Sequence, residues 1–253
     1  MTPGTPVLRL LWSLVAFIFL TLVGSLLAIP SGFIDRSGDL VLWLARWWAR
    51  GVLAAAGVKV RAHLHAPLDP KQSYVVMPNH LSMVDIWAVF VAVPVPLRFI
   101  AKKQLGWIPI FGWAMRAGRF IFIDRQNASA ARRSIDEAAK KIHSGVSVVI
   151  FPEGTRSRDG RLGLFKKGAF HLAINSGAQV VPVAIRGSRE VMPRGAALIH
   201  GGVVDIELGA PIATTGMGPS DRDALMERVR AQVAEMLGED APAAVASTAP
   251  AAE

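Results

Sequence analysis

Residues 74–85 read Tyr74-Val75-Val76-Met77-Pro78-Asn79-His80-Leu81-Ser82-Met83-Val84-Asp85. The first four are aromatic, β-branched or apolar and read as a buried strand, which Pro78-Asn79 brings to an end. From Ile86 onward the chain is apolar and helical in character, so a helix is expected over residues 82–91. His80 then falls in a strand-to-helix turn. Residues five apart in a regular helix point about 140° away from each other, so His80 and Asp85 meet only if His80 folds back from the turn. There His80 can serve as a general base, with Asp85 fixing its tautomer and stabilising the imidazolium. A plainer assignment uses the same residues: Ser82-x-x-Asp85 resembles a capping box with its acid in the favourable first turn. The two roles are compatible.

Outward from this segment, β-branched runs at residues 58–65, 98–101, 119–123, 147–151, 179–185 and 203–208 read as strands. Helical patterns at 106–116, 129–143, 167–175 and 220–237 lie among them. The alternation predicts an α/β fold, a sheet with helices packed on it. In such folds ligands bind in loops beyond strand ends. Lys102-Lys103 follows one strand, Asp124-Arg125 another, and Phe151-Pro152-Glu153-Gly154-Thr155-Arg156-Ser157 a third. Gly154 permits close backbone approach, Arg156 offers a planar fork suited to phosphate, and Glu153 can accept hydrogen bonds from a polyol. Each cluster also has a purely structural explanation: a solvated lysine pair, a surface ion pair, a tight turn. Val181-Pro182-Val183-Ala184-Ile185 reads as architecture, with Pro182 limiting pairing to an edge or a bulge.

The ends differ from this body. Residues 7–29 carry one charge, Arg9, and as a helix would reach about 34 Å, roughly the hydrocarbon thickness of a bilayer. Pro30-Ser31-Gly32 is expected to stop the helix. The run is too long for the core of a cleaved signal peptide, and no A-x-A site follows. A second helical pattern spans residues 39–57, with Arg46 and Arg50 on one side and Trp43, Trp47 and Trp48 suited to the headgroup level. It reads either as a helix lying in the membrane interface or as a core helix of the body. The expected organisation is a two-helix membrane anchor at 1–57, a catalytic body at 58–238 and a disordered tail at 239–253. The tail holds three acids and no base, so the body is more basic than the net charge of +9 and prefers anionic partners.

Zero cysteines exclude disulfides, thiolate metal sites and a cysteine nucleophile. No G-x-S-x-G, G-x-x-x-x-G-K-[ST] or G-x-G-x-x-G run is present, which disfavours serine hydrolysis, nucleotide hydrolysis and dinucleotide redox chemistry. No further His, Asp or Glu stands at metal spacing with His80 and Asp85.

Asn79-His80-Leu81-Ser82-Met83-Val84-Asp85 matches the NHxSxxD motif of the glycerolipid acyltransferases, specifically the 1-acylglycerol-3-phosphate acyltransferase family. Residues 118–125 resemble its second motif, 151–157 its FPEGTRS motif and 181–185 its VPVAI motif. The segment from Lys102-Lys103-Gln104-Leu105 to Pro109 and Gly112 resembles its KKxL…P..G stretch. The resemblance implies a mixed sheet flanked by helices, with an N-terminal two-helix membrane motif. It implies acyl transfer from acyl-CoA or acyl-carrier protein to the sn-2 hydroxyl of lysophosphatidic acid, giving phosphatidic acid, with no cofactor, no metal and no acyl-enzyme. His80 would be the base and Asp85 its partner. Arg156 and a lysine of the Lys102-Lys103 pair would hold the phosphate, while Asp124, Arg125, Glu153, Gly154 and Thr155 would shape the acceptor site. Membrane lipids are the expected partners and nucleic acid is not. Basic residues after the first span place the body on the cytoplasmic face of the inner membrane. Acylation of another lyso-lipid, such as a lyso-ornithine lipid, and a non-catalytic lipid-binding role are the competing expectations.

Overall fold

The computed structural model describes residues 6–123, 128–196 and 199–239. Seven strands, β1 (Val58–Leu64), β2 (Tyr74–Pro78), β3 (Leu97–Lys102), β4 (Ile121–Ile123), β5 (Ser147–Val149), β6 (Gln179–Arg186) and β7 (Gly202–Leu208), form one sheet in the order β1-β7-β6-β2-β5-β3-β4. Every neighbouring pair is parallel except β6 with β7, so the sheet is mixed. Helices cover both faces, and the side-chain period of two divides β2 between them. Tyr74 and Val76 pack into one core beside α2 (Asp39–Ala55) and α3 (Val84–Ala92). Val75 and Met77 pack into the other, beneath α5 (Ala128–His143), α6 (Lys167–Ser176) and α8 (Arg222–Leu237). Burial on both sides explains why this strand is apolar throughout.

Proline placement departs from expectation twice, at Pro30 and Pro109. The first helix, α1 (Pro6–Ile34), runs through Pro30 rather than stopping there. Pro30 forfeits one hydrogen bond, but Ser31 Oγ donates to the Leu27 carbonyl and Gly32 lies against Ala117, so packing retains the turn. The chain leaves the helix at Asp35, whose carboxylate accepts from the Ser37 and Leu40 N–H groups and the Ser37 hydroxyl; these bonds lower its pKa to about 2. Pro109 divides the helix expected over 106–116 into a 3₁₀ turn, Lys103–Trp107, and α4 (Phe111–Ala117), because the residue before a proline is driven to extended backbone. Pro182 sits in an interior strand. Between the Val183–Leu208 pair and the Val180–Ile212 bridge, two residues of β6 face three of the partner, so of the two expected placements it is the bulge and not the edge. Its carbonyl accepts from Gly209 N–H just beyond the β6–β7 ladder, which begins at Val183, so its missing donor costs the sheet little. Arg119, at φ 55°, likewise shortens the strand expected from residue 119.

Helices α1 and α2 form an antiparallel hairpin fastened by Trp12 Nε1 on the Ala55 carbonyl and Trp48 Nε1 on Thr21 Oγ1. The stretch Leu11–Ile34 is the one helix among the described residues long and apolar enough to cross a bilayer, with 11% of its apolar window buried in the protein. Helix α2 packs on the body with one side, as a core helix does, and leaves another side exposed. Val52 and Leu53 belong to the core of the body, while Trp43 and Trp47 face outward. Arg46 turns inward and caps the end of α3, donating to the carbonyls of Phe90, Val93 and Val95. Buried Arg98 of β3 ties the α1–α2 turn to the body through the Ser37 and Gly118 carbonyls.

Candidate active site

Because β2, β3, β5 and β6 run parallel, their carboxyl ends open onto one edge of the sheet, and the polar clusters collect there. Asn79 locks the end of β2 to β6: its amide donates to the Ile185 carbonyl and its Oδ1 accepts the Ile185 N–H. His80 follows in the turn and Asp85 in the first turn of α3. His80 Nδ1 lies 2.8 Å from Asp85 Oδ2, which also accepts the Leu81 and Ser82 N–H groups at 2.7 and 2.8 Å. The dyad and the helix-start bond therefore coexist on one carboxylate oxygen. A fully buried carboxylate facing Nδ1 selects the tautomer with its proton there and leaves Nε2 as the acceptor. The ring is stacked on Phe151, with centroids 3.8 Å apart.

The loop after β5 grips this turn. Glu153 Oε1 accepts the His80 N–H at 2.7 Å, and Ser157 N–H donates to the His80 carbonyl at 2.7 Å. The second Glu153 oxygen accepts Gly163 N–H. Glu153 is 5% exposed, and burial pushes its pKa up to about 7, against the pull of those two hydrogen bonds. Expected to meet a polyol, this carboxylate instead faces the chain and holds the histidine turn. Gly154, at φ 70°, carries the loop past Lys166, where a Cβ would fall 2.9 Å from the lysine side chain.

A cavity of about 680 Å³ begins at this cluster and runs beneath the helices. His80, Gly154, Thr155, Arg156 and Lys102 line it; Glu153, Asp85 and Lys103 do not. Asp124 and Arg125 lie outside the described residues. Deeper in, the wall is apolar: Phe17 of α1, Trp48 of α2, Trp87 and Phe90 of α3, and Met115 of α4. One cation at the mouth escaped the sequence reading. Arg194 donates to the Arg156 carbonyl at 2.9 Å and lines the cavity beside it. It lies past the carboxyl end of β6, beyond the short helix α7 (Ser188–Val191), and the Ser82 hydroxyl anchors its segment by donating to the Met192 carbonyl. Extending the search for post-strand cations beyond Ile185 would have found it.

A hydrogen-bonded histidine–aspartate pair and three cations thus stand at the mouth of an apolar cavity, and sequence comparison says where such a site occurs. The acyltransferase family profile matches residues 59–186, half of the chain, and includes the His80 turn, the 151–157 loop and β6. The chain belongs to the acyltransferase family. It is 34% identical over 174 residues to human 1-acyl-sn-glycerol-3-phosphate acyltransferase alpha, covering 68% of this chain and 61% of that protein. It is 35% identical over 160 residues to a chloroplastic 1-acyl-sn-glycerol-3-phosphate acyltransferase of Arabidopsis thaliana, covering 63% and 43%. The chain thus spans about three-fifths or less of these relatives. The crystal structure of the 1-acyl-sn-glycerophosphate (LPA) acyltransferase PlsC from Thermotoga maritima superposes with a TM-score of 0.77 at 26% identity, covering 93% of this acyltransferase and 99% of that chain.

Proposed function

We propose that this acyltransferase moves a fatty acyl group from a thioester donor, acyl-CoA or acyl-carrier protein, to the sn-2 hydroxyl of lysophosphatidic acid, giving phosphatidic acid. The observation that carries this reading is the His80–Asp85 contact opening onto an apolar cavity rimmed by Lys102, Arg156 and Arg194. His80 Nε2 removes the hydroxyl proton as the oxygen attacks the thioester carbonyl. The C–S bond then breaks, and the thiolate leaves with the proton from the imidazolium. Asp85 stabilises the cation formed between these events. A thioester is already activated, so the residues at the mouth need only position the alcohol and take its proton, without a metal or cofactor. The cations match a phosphomonoester, which carries nearly two negative charges near pH 7. The greasy wall between α1, α2, α3 and α4 suits an acyl chain.

The same reading places the body on the cytoplasmic face of the inner membrane, where α1 and α2 anchor it among its lipid substrates. The test supplies purified protein with lysophosphatidic acid and labelled acyl-CoA or acyl-carrier protein. Labelled phosphatidic acid from the native chain, and at least about a hundredfold less per unit time from His80→Ala, is the expected result. Equal product from both chains would remove the mechanism.

A further inference from the structure

We propose that residues 105–113 of the catalytic body form a third membrane-embedded element, a wedge that enters the lipid leaflet beside the cavity mouth; this rests on the membrane-anchored reading above. Trp107, Ile108 and Trp113 are 64%, 45% and 54% exposed, and Leu105 and Pro109 are exposed with them. Large apolar side chains at the tip of a loop cost solubility unless something covers them.

The backbone is built to hold them out. Ile110 has φ 65° and ψ −62°, with Phe111 N–H donating to the Pro109 carbonyl at 2.7 Å, a tight γ-turn that a β-branched residue adopts only under constraint. The constraint is Gly112, which lies so close to the backbone of Leu105 and Gly106 that a Cβ would approach the Gly106 carbonyl oxygen to 2.5 Å. The tight turn closes the loop with Trp107 and Ile108 on its outer side.

Three observations name a bilayer as the occupant. The wedge is continuous with α1, since α4 packs on the end of that helix through Ala117 on Gly32, next to exposed Phe33 and Ile34. Exposed Lys102, Lys103 and Arg116 flank the apolar tip, the pattern that suits anionic headgroups above and acyl chains below, with tryptophan at the boundary. Leu105 and Phe111 of the same segment line the cavity, so its inner side faces the site while its tip faces outward. A lipid sliding along the wedge would reach His80 without crossing water.

The chain has no cysteine, so single-cysteine labelling is clean. Trp107→Cys and Ile108→Cys, each carrying an environment-sensitive fluorophore on the full chain, are mixed with phosphatidylcholine–phosphatidylglycerol vesicles. Labels at Leu14→Cys on α1 and Asn175→Cys on α6 serve as the bound and aqueous references. Labels at 107 and 108 are expected to shift to the blue, brighten several-fold and be quenched by spin-labelled lipid, while the label at 175 stays aqueous. Aqueous signals at 107 and 108 with a lipid signal at 14 would overturn the wedge and leave the anchor standing. Aqueous signals at 14 as well would overturn both. A second arm changes Trp107 and Ile108 together to Asp. Turnover of vesicle-embedded lysophosphatidic acid is expected to fall several-fold, with turnover of a monomeric short-chain analogue unchanged. Equal loss on both substrates, or none on either, would overturn the wedge.

Discussion

The two ends of the cavity are made differently. The polar mouth comes from short segments that each follow a strand: His80 after β2, Lys102 at the end of β3, Gly154 to Arg156 after β5, Arg194 beyond β6. The apolar end comes from one face each of α1, α2, α3 and α4. At the mouth hydrogen bonds fix where His80 and Arg194 point, the one on Asp85 and the other on the Arg156 carbonyl. At the apolar end, position is set by packing together with the bond from Trp48 to Thr21, so substitutions should change which molecule fits more than how fast it reacts.

The largest expected effect is at the mouth. His80→Ala should lower kcat by about 10²–10⁴-fold with vesicle binding unchanged, measured by turnover and by co-sedimentation. Arg156→Ala follows, raising the KM for lysophosphatidic acid about tenfold with little change in kcat, as expected for a lost charged hydrogen bond to substrate. The other end answers differently. Phe17 packs against Trp48 and Trp87 with centroids 6.3 and 5.8 Å apart, so Phe17→Ala should deepen the cavity and shift preference toward longer acyl donors at similar kcat. Competition between donors of graded length would show it. The smallest effect concerns Glu153. Its carboxyl titrates near pH 7 in the folded chain against 4.5 when free, so the folded state holds the proton more tightly. This group therefore favours folding most below about pH 4.5, and its contribution declines as pH rises to about 7. Glu153→Gln should flatten that decline in urea midpoints compared at about pH 5 and about pH 8.

The same contrast governs what the sequence could disclose. Strands β2, β5 and β6 announce themselves by apolar runs ending in Pro, Asn or Gly, so the loops after them were legible, and with them His80, Asp85 and Arg156; Lys102 closes the apolar run of β3. The direction in which Glu153 turns was not, because a carboxylate beside a glycine looks the same whether it meets solvent or two buried N–H groups. Arg194 is separated from its strand by the short helix α7, so its cue, a cation past the end of β6, is weaker than for residues directly after a strand. The apolar wall was illegible for a deeper reason. Phe17, Trp48 and Met115 are indistinguishable from lipid-facing or core residues until helices far apart in the chain are brought side by side. Pro30 misled because tertiary contacts compensated a local cost that sequence rules count in full.

Both peptide groups of His80 are held by a single loop, its N–H by Glu153 and its carbonyl by Ser157, with Arg156 between those two anchors. On the proposed reading, headgroup recognition by Arg156 and aim of the imidazole are thereby mechanically joined. An acceptor whose anionic end sits badly would drag the base off line, so poor substrates should be penalised in turnover as well as in affinity, and discrimination could exceed what binding alone provides.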